Sequence, residues 1–99
     1  MVTLINVFTV EPKDQQRLVD LLTRVTEGFV TRAPGFLSAT LHRGLDGTKV
    51  TMMSQWTSQA DYEAMRRDPD ALPLFQEALT FASIEPGMYE VVQTFAPVA

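Results

Sequence analysis

The apolar residues in the first third of the chain follow two different periods, and a proline separates them. The segment TLINVFTV at 3–10 is short and rich in β-branched and aromatic residues, which is typical of a strand. Beyond Pro12 the apolar residues recur at helical spacing and form one stripe of Leu18, Leu21, Leu22, Val25 and Phe29. RAPG at 32–35 is expected to end this helix, because the residue before a proline disfavours helical geometry. A strand followed by an amphipathic helix is therefore predicted.

The remainder of the chain is predicted to form a hairpin, a broken helix and a final strand. The segments FLSATLHRG and KVTMMSQW flank LDGT, whose Asp-Gly pair suits a hairpin loop. Ser58 is a candidate N-cap for a helix in TSQADYEAMRRD. A second short helix is predicted at 70–82, with Leu72, Phe75 and Leu79 on one stripe. After a turn at EPG (85–87), MYEVVQTF at 88–95 is the predicted last strand.

The element order β-α-β-β-α-β matches the split βαβ, or ferredoxin-like, pattern of an α+β fold. We predict a single domain over residues 1–99, with a four-stranded antiparallel sheet that carries the helices on one face. In the third strand Thr51, Met53 and Gln55 point to the other face, yet both sets of alternating residues are partly apolar. An apolar second face suggests burial against another copy of the sheet, so a homodimer is predicted.

The charge pattern and the absence of cysteine exclude several classes of function. The formal charge is −4 and the eight Lys and Arg residues are scattered, which argues against a nucleic-acid surface or a polybasic membrane patch. Without cysteine the chain has no disulfide, thiolate metal site or cysteine nucleophile. The N-terminus lacks a signal-peptide pattern and no apolar run approaches ~20 residues, so a cytoplasmic protein is expected.

The sequence also lacks the motifs of metal and cofactor sites. One histidine and scattered carboxylates offer no ligand spacing, and no glycine-rich phosphate loop or nucleophile elbow occurs. We therefore expect no metal and no cofactor. An enzyme without a metal, a flavin or a nucleophile must let its substrate supply the electrons, and an easily ionised phenol can donate them to O₂.

The stretch PGFLSATLHRGLDGTKVTMMSQWTSQADYEAM resembles the antibiotic biosynthesis monooxygenase family, and the likeness extends over nearly the whole chain. Members often read PGF-x-SA-x-x-H-x-x-x-DGT, then a strand that ends in QW, then a helix that is entered through serine and carries an aromatic residue. Within the family, the chain resembles the small quinone-forming members of aromatic polyketide pathways. The resemblance implies a dimeric α+β barrel and the cofactor-free oxygenation of an anthrone-like phenol between sheet and helices.

The same resemblance assigns candidate site residues. Trp56 and Tyr62 match the aromatic residues of the family's pocket, Gln55 keeps the QW pair, and His42 matches a hairpin histidine. Two positions depart from the polyketide members: Met52 replaces an asparagine, and Gln76 replaces a helix arginine. The candidate catalytic residues are Trp56, Tyr62, Asn6 and His42, and the candidate substrate-binding residues are Gln55, Met52, Ser54, Phe8 and Gln76.

Each candidate also has a simpler structural interpretation. Trp56 and Tyr62 could be core aromatics whose N–H and O–H groups bond nearby backbone. Asn6 lies in an otherwise apolar strand and could be a hydrogen-bonded structural amide. His42 could be an exposed residue of the hairpin, and Arg66-Arg67-Asp68 a solvated helix end. For Trp56 we nevertheless predict the wall of an open pocket, so Trp56→Phe is expected to leave the fold and dimer nearly as stable and to weaken ligand binding or turnover.

Three functions are compatible with these residues. The first is a homodimeric, cofactor-independent monooxygenase or oxidase that acts with O₂ on a planar phenol. The second is a non-catalytic binding or pathway-assembly domain of the same fold, which Met52 and Gln76 favour. The third, heme binding or degradation, is favoured least, because Leu79 stands where the heme-degrading branch has its iron-ligating histidine.

Overall fold

The computed structural model describes residues 1–98 and contains four strands and three helices. The chain runs through β1 (Val2–Val10), α1 (Gln15–Gly28), β2 (Phe36–Arg43), β3 (Lys49–Trp56), α2 (Gln59–Arg66), α3 (Leu72–Ala78) and β4 (Ala82–Tyr89). Single 3₁₀ turns at Pro12–Asp14 and Val30–Arg32 flank α1. The predicted order, with the second helix broken in two, is confirmed.

The strands form one antiparallel sheet in the order β2-β3-β1-β4. Strand β1 is central, and Asn6 lies opposite Met52 of β3 on one side and Pro86 of β4 on the other. The ferredoxin-like α+β fold is therefore confirmed. None of the helices in residues 1–98 combines the length and the apolar character needed to cross a bilayer.

The core lies between one face of the sheet and the apolar stripe of α1. Alternate residues of β1 are buried on this face, and the helix buries Leu18, Leu21, Leu22 and Val25 against them. The buried residues form two clusters. The first is Phe8, Val10, Leu18, Leu21, Leu22, Val50 and Ala78; the second is Leu4, Val25, Val30, Trp56, Tyr62 and Met65. The second cluster joins the end of β3 to α2.

Side-chain hydrogen bonds cap the start of α2, and Gly35, which precedes β2, packs against them. Ser58 is the predicted N-cap, and its hydroxyl oxygen accepts a hydrogen bond from the Asp61 backbone N–H at 3.2 Å. The Asp61 carboxylate accepts from the Thr57 and Ser58 hydroxyls, and these bonds hold the pKa of that carboxyl below its ordinary value. Gly35, at φ +84°, packs so closely on Asp61 that a Cβ there would overlap the carboxylate. These contacts of Asp61 position Tyr62, the next residue of α2, in the core.

The prediction for the last strand was wrong in its bounds. Strand β4 begins at Ala82 and ends at Tyr89, so the predicted EPG turn lies inside it, and 90–98 have no regular secondary structure. Pairing with β1 overrides the local turn signal here. Strand β4 is at the edge of the sheet and tolerates Pro86, because a proline has no N–H to donate and the solvent side of an edge strand needs no such donor.

The bounds and the stripe of the last helix also differ from the prediction. Helix α3 spans Leu72–Ala78 rather than 70–82. Leu72 and Leu79 are 38% and 49% exposed, whereas Leu74, Phe75 and Ala78 pack on the core. A helix of two turns can place only a narrow stripe on the sheet, and Leu79 lies one residue beyond the end of α3.

Candidate active site

A cavity of about 60 Å³ lies between the sheet and the three helices. Its walls are mainly aliphatic and aromatic, and its polar lining residues are Asn6, Thr26, Ser54, Tyr62 and Arg66. An apolar cavity with a few polar groups that converge on it is the usual form of a small-molecule site. Six of the candidate residues line it: Asn6, Phe8, Met52, Ser54, Trp56 and Tyr62.

Trp56 forms the end wall of this cavity and is packed rather than open. Its side chain is 0% exposed, and its indole N–H donates to the Ser54 hydroxyl oxygen at 3.1 Å. The rings of Phe36 and Tyr62 contact it edge to face, with centroids 5.4 and 5.7 Å from its own. The indole therefore has its hydrogen bond and its ring contacts before any ligand binds, which overturns the expectation of an exposed aromatic wall.

Tyr62 and Arg66 lie one turn apart on α2 and act as a pair. Arg66 donates from Nη1 to the Tyr62 hydroxyl oxygen at 2.9 Å, and its guanidinium lies 4.7 Å from the ring centroid of Phe75 on α3. The Nε of Arg66 is buried and has no hydrogen-bond partner in the part of the chain that the structure describes. Arg66 is therefore a cavity residue, and its interpretation as part of a solvated helix end was wrong. Its spacing of four residues from Tyr62 was the signal in the sequence.

Asn6 places an unsatisfied acceptor in the wall of the cavity. Its side chain is 8% exposed, and its carboxamide oxygen is buried without a hydrogen-bond partner within residues 1–98. An unpaired buried acceptor costs about 1–3 kcal/mol, so such groups usually have a partner in the working protein. A hydroxyl of a bound molecule can be that partner.

The other three candidate residues lie outside the cavity, which corrects their assignment to one site with Trp56. Gln55 and His42 point to the open face of the sheet, where Gln55 accepts from the Ser38 hydroxyl and His42 Nδ1 lies 3.2 Å from the Thr51 carbonyl oxygen. Residues that are adjacent in a strand face opposite ways, so Gln55 cannot share the face of Trp56. Gln76 is exposed on α3.

A second groove of about 170 Å³ adjoins the cavity where α1 faces β2 and β3. The groove and the cavity share Thr26, Ala39 and Met52 as lining residues. Methionine has three rotatable side-chain bonds and repacks at low cost. Met52 therefore lies at the boundary between the two spaces.

The fold and this cavity define a small α+β protein with a small-molecule site between sheet and helices. Residues 1–78 match the family model described as antibiotic biosynthesis monooxygenase. Tetracenomycin-F1 monooxygenase of Streptomyces glaucescens is 42% identical over 93 residues, which are 94% of this chain and 83% of that enzyme. The chain belongs to the antibiotic biosynthesis monooxygenase family, and the predicted resemblance is confirmed.

Two solved structures extend the likeness to the three-dimensional fold. SnoaB, a cofactor-independent oxygenase from Streptomyces nogalater, superposes with a TM-score of 0.83 at 26% identity and covers 97% of both chains. The monooxygenase ActVA-Orf6 of Streptomyces coelicolor, in complex with nanaomycin D, gives a TM-score of 0.85 at 27% identity over 98% of this chain and 92% of its own. Of these two proteins of the same fold, SnoaB is a cofactor-independent oxygenase and ActVA-Orf6 is a monooxygenase that binds nanaomycin D.

Proposed function

We propose that the protein is a cofactor-independent monooxygenase that uses O₂ to convert a planar phenolic or anthrone-like compound into a quinone. The observation that carries this proposal is the apolar cavity into which the unpaired Asn6 carboxamide oxygen and the Tyr62–Arg66 pair point. Apolar walls suit an aromatic ring system and O₂, and the few polar groups can orient the oxygens of the substrate. The 42% identity with tetracenomycin-F1 monooxygenase supports a monooxygenase activity.

The reaction balances without a metal or a flavin. Loss of a phenolic proton makes the aromatic system electron-rich, and it then transfers electrons to O₂. The methylene carbon of the anthrone loses its two hydrogens and gains one atom of O₂ as the quinone carbonyl. The second atom of O₂ leaves as water together with those two hydrogens. The protein binds and orients the ring, stabilises its ionised form and keeps bulk water away.

The cavity has to widen before it can hold such a substrate. Its volume of about 60 Å³ is below the roughly 300–1,000 Å³ of typical ligand pockets. The adjoining groove of about 170 Å³ lies on the far side of Met52. We propose that rotation of Met52 joins the two spaces and admits a flat ring system along α1, with the packed Trp56 as the inner end of the site.

Oxygen uptake tests the catalytic proposal. With emodinanthrone as substrate, the purified protein is expected to consume O₂ and form the quinone faster than buffer or heat-denatured protein does. An oxygen electrode and the visible absorbance of the quinone follow the two species independently. A rate equal to the uncatalysed one in both measurements would count against the enzyme.

A non-catalytic ligand-binding domain is the second candidate. Met52 and Gln76 favour it, because the polyketide members that the chain resembles carry polar groups at these positions. Binding of a planar phenol, seen by calorimetry, together with no O₂ uptake would support this function. Heme chemistry has less support, since the single histidine of the chain, His42, lies on the face of the sheet opposite to the cavity.

We further propose that the open face of the sheet forms a two-fold homodimer. Ile5 and Val7 are only partly buried there and Met53 is 38% exposed, so this face is partly apolar, and the helices within residues 1–98 pack on the opposite face. Burial of such a face against a second copy would remove it from water.

Met53→Lys is expected to convert the dimer into a monomer, because it would place an unpaired charge in the interface. Leu72→Lys is the matched control, since Leu72 is also 38% exposed but lies on α3, on the helix side of the sheet. Light scattering at micromolar concentration measures both. A wild-type monomer, or a Met53→Lys protein that stays dimeric, would contradict the proposed interface.

A further inference from the structure

Arg66 is a cation without an anion in the wall of the cavity. The ion pair formed within residues 1–98 joins Lys13 and Glu11 at the surface, so no carboxylate lies within 4.0 Å of the guanidinium. One of its donors is used by the Tyr62 hydroxyl, and its Nε is buried without a partner among the described residues. A guanidinium has five N–H donors and cannot lose its charge. A partly buried guanidinium with free donors is costly unless an anion joins it.

We infer that Arg66 binds the oxygen of the substrate's acidic hydroxyl and holds it as the phenolate that reacts with O₂. This inference rests on the proposed function and names a residue for its first chemical step. Most of the lining is apolar and the other polar lining residues, Asn6, Thr26, Ser54 and Tyr62, carry no charge, so Arg66 is the one cation among the lining residues that the structure describes. A single guanidinium on an apolar wall suits one ionised oxygen of a flat ring better than a phosphate, which usually takes several donors.

Tyr62 supplies a second donor to the same oxygen. Its hydroxyl oxygen accepts from Arg66, which leaves its own O–H free to donate into the cavity. The guanidinium of Arg66 lies over the ring of Phe75, and the spacing of one helical turn keeps it within hydrogen-bond reach of Tyr62. An arginine N–H and a tyrosine O–H therefore converge, both stabilising negative charge on a bound oxygen.

A coloured phenol that is already a quinone separates this binding step from turnover. 2-Hydroxyanthraquinone changes its visible spectrum when its hydroxyl ionises, and it has no methylene group to oxidise. Bound to the wild-type protein, its pKa is expected to fall by about one to three units, because a cation within hydrogen-bond reach favours the anion. Arg66→Gln keeps a donor for Tyr62 but removes the charge, and it is expected to abolish most of that fall.

Three further variants make the test specific. Arg66→Lys restores the charge and is expected to recover part of the shift, whereas Arg66→Met should lose it. Arg67→Met is the matched control, because Arg67 is the exposed next residue and its replacement changes the net charge equally. Thermal melts show which variants are folded. With emodinanthrone, Arg66→Gln should also move the pH–rate profile for oxygen uptake to higher pH, which a merely structural role would not do.

The outcomes distinguish this inference from the proposed function. A wild-type protein that leaves the ionisation of the probe unchanged, whether it fails to bind or binds without effect, would overturn the role of Arg66. Retention of the full shift in folded Arg66→Gln would overturn it as well. A shift that depends on Arg66 in a protein that consumes no O₂ would instead uphold Arg66 as the phenolate-binding residue and defeat the oxygenase.

Discussion

Trp56→Ala is expected to lower the free energy of unfolding by about 3–5 kcal/mol, because it truncates the largest fully buried side chain in the described structure and leaves a cavity. The total free energy of unfolding of a small domain is only about 5–15 kcal/mol, so this variant should be close to unfolding at room temperature. The substitution removes the edge-to-face contacts of Trp56 with Phe36 and Tyr62 together with the volume of the indole ring. Equilibrium unfolding in urea measures it.

Trp56→Phe separates the volume of the ring from its hydrogen bond. Phenylalanine keeps a ring in the core but leaves the Ser54 hydroxyl, which is 4% exposed, without the indole N–H. A loss of about 1–3 kcal/mol is expected from that unpaired group and the smaller ring. Adding Ser54→Ala should recover part of the loss, since both partners of the bond are then removed.

These results would reverse the earlier expectation for Trp56→Phe, which assumed an open wall. A Trp56→Phe protein that unfolds at the same urea concentration as the wild type would contradict the packed role seen in the structure. Its binding of 2-hydroxyanthraquinone would then show whether the indole contacts the ligand instead.

The elements with strong local signals were predicted correctly from the sequence. The stripe Leu18, Leu21, Leu22 and Val25 on α1, the hairpin loop and the Ser58 cap depend on neighbouring residues only, so their physics is present in the sequence itself. The predicted end of the helix at RAPG and the inclusion of Phe29 in the stripe were wrong, since α1 ends at Gly28 and a 3₁₀ turn follows. Strand β4 was misplaced because its pairing with β1 decides the conformation of Pro86, and that contact is far away in sequence. Tertiary pairing regularly overrides turn propensity.

The site was predicted in part, and the errors have two physical causes. Gln55 could have been excluded from the sequence, because a residue next to Trp56 in a strand faces the other way. The spacing of Tyr62 and Arg66 indicates in the sequence that the two side chains meet. The contact that partly buries Arg66 does not follow from that spacing, since it is with Phe75 of α3, after the chain has turned at Asp68. The complete burial of Trp56 likewise requires Phe36, which a register shift between Phe36 and Ser38 brings opposite to it.

Asn6→Leu is expected to lower oxygen uptake by about 10²-fold or more while leaving the fold at least as stable. The Asn6 carboxamide oxygen is buried and unpaired in residues 1–98, so its removal relieves a desolvation cost and can stabilise the protein by about 1 kcal/mol. If that oxygen accepts a hydrogen bond from the reacting substrate, turnover loses the stabilisation that such a group supplies. Urea unfolding and the oxygen electrode measure the two effects on the same sample.

Thr3→Val is the matched control, because it removes another buried and unpaired oxygen from the same strand. Thr3 is 6% exposed, but it faces the side of the sheet away from the cavity. Its replacement should therefore affect stability as Asn6→Leu does and leave the rate of oxygen uptake unchanged. A stabilised but inactive Asn6→Leu beside an active Thr3→Val would identify Asn6 as a binding group whose cost in stability is offset by the bound substrate. An Asn6→Leu protein that is destabilised by about 2 kcal/mol or more and keeps its rate would make Asn6 a structural amide.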